Sequence, residues 1–363
     1  MKVKYETVKQ TLRNEIIDGK YKINEKLPTE SELMKRFDVS RCTIRRAVDD
    51  LENEHYIYRI QGGGGMFVQD WQRDWSTPEK NKIIGVISTH MADYIFPSII
   101  SGIDSVVTDQ GYSLIVGNTL NNHDRERQTL LNMLDLKIAG LIIEPTQSAL
   151  PNSNLDLYRQ LQNYHIPTIL FHSTYPGFSF PTLLTKDLEA EKELTKYLFK
   201  LGHSNILGIF QINDQQGVNR MSGMVQAYQE ENIPITKSNI VMYQSNDAFT
   251  DIVNKADTIL KANPHITAID CYNDELATRI ISHLQSQGLQ VPHDISVVGF
   301  DNYEMAQLIT PKLTTVNHPK RQLGEDAGEM IIDMINDKSV TSKFYTPQII
   351  KRDSAILVRS KEN

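Results

Sequence analysis

The sequence predicts an α/β chain in two parts, a small helical head closed by a β-hairpin and a larger two-lobed body of doubly wound parallel sheets. Three observations carry that expectation. A chain of 363 residues, 40% of them apolar, is too long for one core, since cores rarely grow past about 250 to 300 residues. From Lys82 onward short apolar runs alternate with helical segments, the pattern of parallel βαβ units. Charge also divides along the chain: residues 1–68 hold 13 Lys and Arg against 11 Asp and Glu, about +2, so the remainder carries about −9 and the whole −7.

In the head, Tyr5, Val8, Leu12 and Ile16 recur at helical spacing, and the polar stretch DGKYKINEK ends that first helix. In LPTESELMKRF, Thr29 and Glu32 have capping-box spacing behind Pro28, and Leu33 with Phe37 makes an apolar i, i+4 pair, which starts a second helix. Only DVS separates it from a third, on which Ile44, Ala47, Val48 and Leu51 share one face behind Ser40 as N-cap. So short a link holds two helices at a steep angle, as in a helix-turn-helix. The runs YIYRI and MFVQD around QGGGG read as a hairpin.

The third helix is charged against its own dipole. Arg41, Arg45 and Arg46 fill its first two turns, and Asp49, Asp50, Glu52 and Glu54 follow, whereas the dipole favours the reverse order by about 0.3 to 1 kcal/mol per charge. Selection for helix stability alone would not keep that order. The expectation is an external anion, phosphate, because a guanidinium bonds two acceptors on phosphate or on guanine. The bland alternative is a solvated face with charges arranged by chance.

QDWQRDWSTPEKNK, polar and containing Pro78, reads as a linker. The expected boundaries are a head at 1–69, a linker at 70–81 and a body at 82–363. In the body, IIGVIS, YSLIVG, GLIIEP, TILFH, NILGIF, TAIDCY and ISVVGF read as strands. Ligands in such folds sit beyond the carboxyl ends of the strands. Ser88, Glu144, His172, Asp214, Asn273, Asp274, Asp301 and His318 follow apolar runs at such ends. A sugar needs this mixture of paired hydrogen-bonding groups, together with an aromatic surface that Tyr94 and Phe96 can supply. Each of them taken singly also reads as a cap or turn former.

Other classes are disfavoured. Only Cys42 and Cys271 occur, far apart and without metal or redox spacing, so neither a disulfide framework nor a metal site is expected. No apolar run approaches the roughly 18 residues that cross a bilayer, and MKVKYETVKQ has no apolar signal core; a cytoplasmic protein without a membrane partner is expected. Gly62 to Gly65 is followed by neither a Lys-Ser/Thr pair nor a helix start, against a nucleotide loop. There is no Gly-x-Ser-x-Gly elbow and no GxGxxG. No catalytic residue and no cofactor are expected.

The head resembles the winged-helix domain of the GntR family of bacterial regulators over residues 3–69, through LPTESELMKRFDVSRCTIRRAVDDLENEHYI and GGMFV. The resemblance implies DNA contacts by Glu30, Arg41, Cys42, Thr43, Arg45, Gln61 and the wing glycines Gly62 and Gly63, with Lys4 near the backbone. Cys42 departs from the family's usual Thr or His, and its weakly donating thiol implies apolar or lax readout there; redox sensing is the lesser alternative.

Residues 82–358 resemble the LacI/GalR effector domain, which shares its fold with periplasmic sugar-binding proteins, through GVNRMSGM, CYNDELA, VVGFDNYEMAQ and LTTVNHPKRQLGEDAG. That implies effector contacts by Arg220, Asp274 and Asp301, which join Tyr94, Phe96, Glu144, His172, Asn273 and His318 in the expected site. A GntR-type head on such a body is the arrangement of the arabinose repressors, and DYIFPSII, EPTQSAL, QGVNRM and CYNDE resemble that group in particular. The implied partners are operator DNA, a second copy of the chain, and a small sugar, L-arabinose, that releases the repressor. The LacI-type hinge helix is absent, with the polar linker in its place. Rival readings are a regulator answering another sugar, a phosphosugar or a purine, and, more distantly, a sugar-binding protein without a transcriptional role. A phosphate ligand would want several basic groups in the cleft, where the candidates are mostly acidic or neutral.

Overall fold

The computed structural model describes residues 4–54, 56–60, 65–69, 81–235 and 239–358. The chain forms two compact units, residues 1–81 with 130–138 and 154–165, and residues 82–129, 139–153 and 166–363.

In the first unit, α1 (Lys4–Ile17), α2 (Glu30–Phe37) and α3 (Arg41–Asn53) precede an antiparallel hairpin of β1 (Ile57–Ile60) and β2 (Gly65–Val68) in the register Ile57 to Val68. Local chemistry sets the boundaries. Thr29 and Glu32 form the expected capping box at α2, which satisfies two of the backbone N–H groups a helix start leaves orphaned. Asp38 ends α2 in a left-handed conformation, and Ser40 caps α3 through the Thr43 N–H. Val8, Leu12 and Ile16 of α1 pack with Leu33 and with Ile44, Ala47, Val48 and Leu51 of α3. The apolar stripes thus meet in one small core. This unit also takes in α6 (Leu155–Asn163), whose Asp156 accepts the Tyr56 hydroxyl at 3.2 Å.

The second unit has two lobes, each built on a six-stranded sheet. Lobe one holds β3 (Ile83–Ser88), α4 (Phe96–Asp109), β4 (Ser113–Asn118), β5 (Gly140–Ile143), β6 (Thr168–Phe171) and β7 (Thr182–Thr185), with α5 (His123–Asp135) following β4 in the chain. Lobe two holds α7 (Asp187–Lys200), β8 (Ile206–Gln211), α8 (Gln215–Glu230), β9 (Ile240–Tyr243), α9 (Phe249–Ala262), β10 (Ala268–Cys271), α10 (Asp274–Ser286), β11 (Ser296–Asp301) and β12 (Thr314–Asn317). The chain then returns to lobe one for α11 (Lys320–Ile335) and β13 (Lys343–Tyr345), and ends its pairing in lobe two with β14 (Ile349–Ile350). Sheet orders are β13-β7-β6-β5-β3-β4 and β14-β12-β11-β10-β8-β9. Every pairing within them is parallel except the short edge strand β14 on β12, so the expected doubly wound parallel sheets form. All seven expected strands form. The chain crosses between lobes around Lys186, at His318–Pro319 and between β13 and β14, so the strand ends of both lobes face one cleft.

Candidate functional site

A cavity of about 260 Å³ lies between the lobes, at the carboxyl ends of the strands. Tyr94, Phe96, Glu144 and His172 line it from lobe one, and Arg220, Asn273 and Asp301 from lobe two. Four lining residues that are not glycine, Tyr94 (φ 57°), Asn121 (51°), His172 (64°) and Asp301 (98°), have left-handed backbones. Such residues cluster where function holds the chain in a costly conformation.

Arg220 organises lobe two's wall. Gly217, one turn before it, lets α8 start against β8, since a Cβ there would lie 1.8 Å from the Gln211 carbonyl oxygen. The guanidinium is 1% exposed. It donates from Nε to Asp187 (3.0 Å), from Nη1 to the Tyr272 carbonyl (2.6 Å) and from Nη2 to Asp301 (3.2 Å), and it stacks 3.6 Å over the Phe300 ring. Burial alone would disfavour its charge, but Asp301 and Asp187 outweigh burial and raise its pKa well above the usual value. Those bonds use three of its five N–H groups, which leaves two for a ligand.

On lobe one, Glu144 accepts from Ser88 Oγ (3.0 Å), Thr89 N (2.7 Å), Thr89 Oγ1 (2.6 Å) and His172 Nδ1 (2.8 Å). Burial pushes its pKa up, yet the bonds from His172 and Thr89 win and hold it below the ordinary value. Glu144 therefore stays an anion whose charge is spent inside the wall, and it fixes the orientation of His172. Asp214 caps α8 through Gly217 N and accepts the Tyr272 hydroxyl at 2.8 Å; burial raises its pKa to about 6.

Two expected effector residues stand elsewhere. Asp274 is absent from the lining: its carboxylate accepts from Thr315 Oγ1 (2.6 Å) and the Tyr303 N–H (2.7 Å), tying α10 to β12 and to the segment that follows β11. Gly299 is what admits it, because a Cβ there would lie 2.4 Å from Asp274 Oδ1. His318 also lies off the lining, buried in the lobe crossing with its ring 4.9 Å from that of His172. A strand-end carboxylate or imidazole reads alike in sequence whether it faces the cleft or the protein. Conversely, Asn121, Ser148, Gln211 and Tyr272 line the cavity although they are not among the residues expected from the sequence. Only Tyr272, beside Asn273, carried a signal, an aromatic next to a candidate polar residue.

On the head, Arg41 and Arg45 are 62% and 60% exposed, and each donates from Nε to Glu30, at 3.1 and 3.3 Å. Part of the compensating charge thus comes from α2, which corrects the expectation of a wholly external anion. Arg46 turns back, 3.9 Å over the Tyr5 ring. Cys42 is exposed and Thr43 partly so. Gln61, Gly62, Gly63, the linker residues 70–80 and the Lys4 side chain lie outside the described residues.

Residues 4–68 match the bacterial regulatory proteins of the gntR family, and residues 195–355 a periplasmic binding protein-like domain. The arabinose metabolism transcriptional repressor of Geobacillus stearothermophilus is 38% identical over 356 residues, 97% of each chain. This chain belongs to the arabinose metabolism transcriptional repressor family. A second member, from Halalkalibacterium halodurans, is 35% identical over all of this chain and 99% of its own. For the fold, the transcription regulator CcpA of Lactococcus lactis superposes with a TM-score of 0.68 at 22% identity, covering 76% of this chain and 100% of that one. As a member of this repressor family, the chain is a transcriptional regulator and not an enzyme. Among the described residues, no helix is long and apolar enough to cross a membrane.

Proposed function

We propose that this repressor binds operator DNA through α3 and the wing, as a dimer, and is released when L-arabinose enters the cleft of the second unit. The observation that carries the effector reading is the cavity's size and charge. About 260 Å³ lies at or below the small end of ligand pockets, which run from about 300 to 1,000 Å³, and suits a monosaccharide. Six carboxylates line it, those of Asp93, Glu144, Asp214, Asp247, Glu275 and Asp301, against the guanidiniums of Arg220 and Arg279. That balance repels a phosphosugar and suits an uncharged polyol, whose hydroxyls donate to carboxylates and accept from Arg220. Arg220 and Asp301 are the central contacts in this reading, with His172, Asn273 and the Phe96 ring around them. Glu144 serves by holding His172, and Asp274 by holding the wall.

On the DNA side, the exposed Arg41 and Arg45 form a basic pair that an operator phosphate or guanine can draw from Glu30. A two-fold dimer suits a palindromic operator, one head to each half-site.

The test is calorimetry and thermal shift of the full chain against L-arabinose, D-ribose, D-galactose and arabinose 5-phosphate. A ligand at 100 times its Kd adds about 2.7 kcal/mol of stability. L-Arabinose should bind, and the phosphate should not. Tight binding of the phosphosugar alone would overturn the charge argument.

A further inference from the structure

We propose that the Tyr94 hydroxyl is a latch that holds the two lobes together beside the effector cavity, so that it sets effector affinity through the lobes rather than as a sugar contact. The inference rests on the effector reading only for the ligand's identity.

Tyr94 stands just ahead of α4 in lobe one. Its hydroxyl lies 2.5 Å from Asp301 Oδ2 and 3.1 Å from the Phe300 carbonyl oxygen, and it accepts the Asp274 N–H at 3.2 Å. All three groups belong to lobe two. Its ring packs on Tyr303, also of lobe two, with centroids 4.9 Å apart. Asp274 and Phe300 are not among the cavity-lining residues. Two of the hydroxyl's three partners therefore lie behind the wall, and the third, Asp301, is reached through its Oδ2 while its Oδ1 takes the Arg220 bond.

Each bond suits a latch. The Asp274 N–H opens α10 and is one of the donors a helix start leaves without an intrahelical partner, and a bond to the Asp301 carboxylate is charge-assisted and stronger than a neutral one. Burial, with Asp301 and Asp274 beside it, raises the pKa of Tyr94 well above the usual value, which keeps the phenol a donor. At the same corner, Lys320 of α11 donates to the carbonyls of Asp301 and Asn302, both at 2.8 Å. Elsewhere along the cleft the lobes are joined by neutral bonds, Asn121 to Ser245 (3.1 Å) and the Gln215 N–H to Ser148 (2.9 Å). A ligand that needs both lobes binds in proportion to the fraction of molecules whose lobes are closed. Loosening the latch therefore lowers affinity by opening the lobes, and it shows apart from any sugar contact in the exchange of the Asp274 amide without sugar.

The experiment compares full-length wild type with Tyr94→Phe, which keeps the ring and deletes the hydroxyl. Without sugar, amide exchange at Asp274 should speed by about tenfold. With L-arabinose as probe, calorimetry should give a Kd about tenfold weaker. Unchanged exchange at Asp274 would overturn the latch, and tighter L-arabinose binding would mean that the hydroxyl competes with the ligand. If wild type ignores L-arabinose, the effector reading falls and the exchange measurement still decides the latch. Should Tyr94→Phe not fold, exchange in wild type decides instead: an Asp274 amide that exchanges as fast as an open one sinks the proposal.

Discussion

Glu191 of α7 and Asp270 of β10 are fully buried side by side, with the Thr195 hydroxyl also beside Asp270. Two carboxyls so placed satisfy one another by sharing a proton. Burial, reinforced by Asp270, pushes Glu191 well above its usual pKa, and burial pushes Asp270 to about 6. The folded state then holds protons that the unfolded state releases. The pair's contribution is complete below the ordinary carboxylate range, begins to be lost as pH rises through about 6, where Asp270 ionises, and goes on being lost above that as Glu191 does. Glu191→Gln supplies a permanent donor and should flatten that loss. Melting curves of wild type and variant between about pH 5 and pH 8 test it, and parallel curves would refute the shared proton. Arg220→Ala is the harsher change at this scale. It strands the Asp187 and Asp301 carboxylates, so a stability loss of about 3 to 5 kcal/mol should accompany the loss of effector binding. Denaturant titration beside calorimetry separates the two.

Among the elements, α3 carries the DNA reading. Its reversed charge order is tolerated in the free protein because Glu30 of α2 bonds both Arg41 and Arg45. In the proposed complex DNA would take those arginines from Glu30, so part of the contact energy would be spent on the exchange. Arg45→Ala should still cost about 1 to 3 kcal/mol of operator affinity while sugar binding is untouched. Arg46→Ala, whose guanidinium lies on Tyr5, should cost less. Fluorescence anisotropy with an operator duplex at fixed salt reads both, and equal losses would remove the distinction between them. At the start of α2, Thr29→Ala deletes the capping box and should lower head stability by about 1 kcal/mol.

At the scale of the whole molecule, a repressor released by its effector must obey linkage. If L-arabinose lowers operator affinity between about 5- and 150-fold, bound operator lowers sugar affinity by the same factor, a coupling of about 1 to 3 kcal/mol. Sugar titrations of free protein and of protein saturated with operator measure it. Equal affinities would show that the cleft does not control the head.

Seven strands of the body, the head's helix starts and the cleft at the strand ends were legible from the residues alone, because they follow from local periodicity, capping chemistry and the alternation of strands with helices. Thr29 and Ser40 announce their caps within three residues, and GLII or SVVGF buries on both faces wherever it lies. Short strands such as β13 and β14 carry no such pattern and exist only because a neighbour pairs with them. Which strand-end side chains face the cavity was likewise decided by tertiary structure. Asp274 and Asp301 look alike in sequence, yet the space left by Gly299 and the donors of Thr315 and Tyr303 turn the first inward, while Arg220 and Tyr94 hold the second at the cleft. Burial and partners separated by tens to hundreds of residues set that choice, and periodicity does not record them.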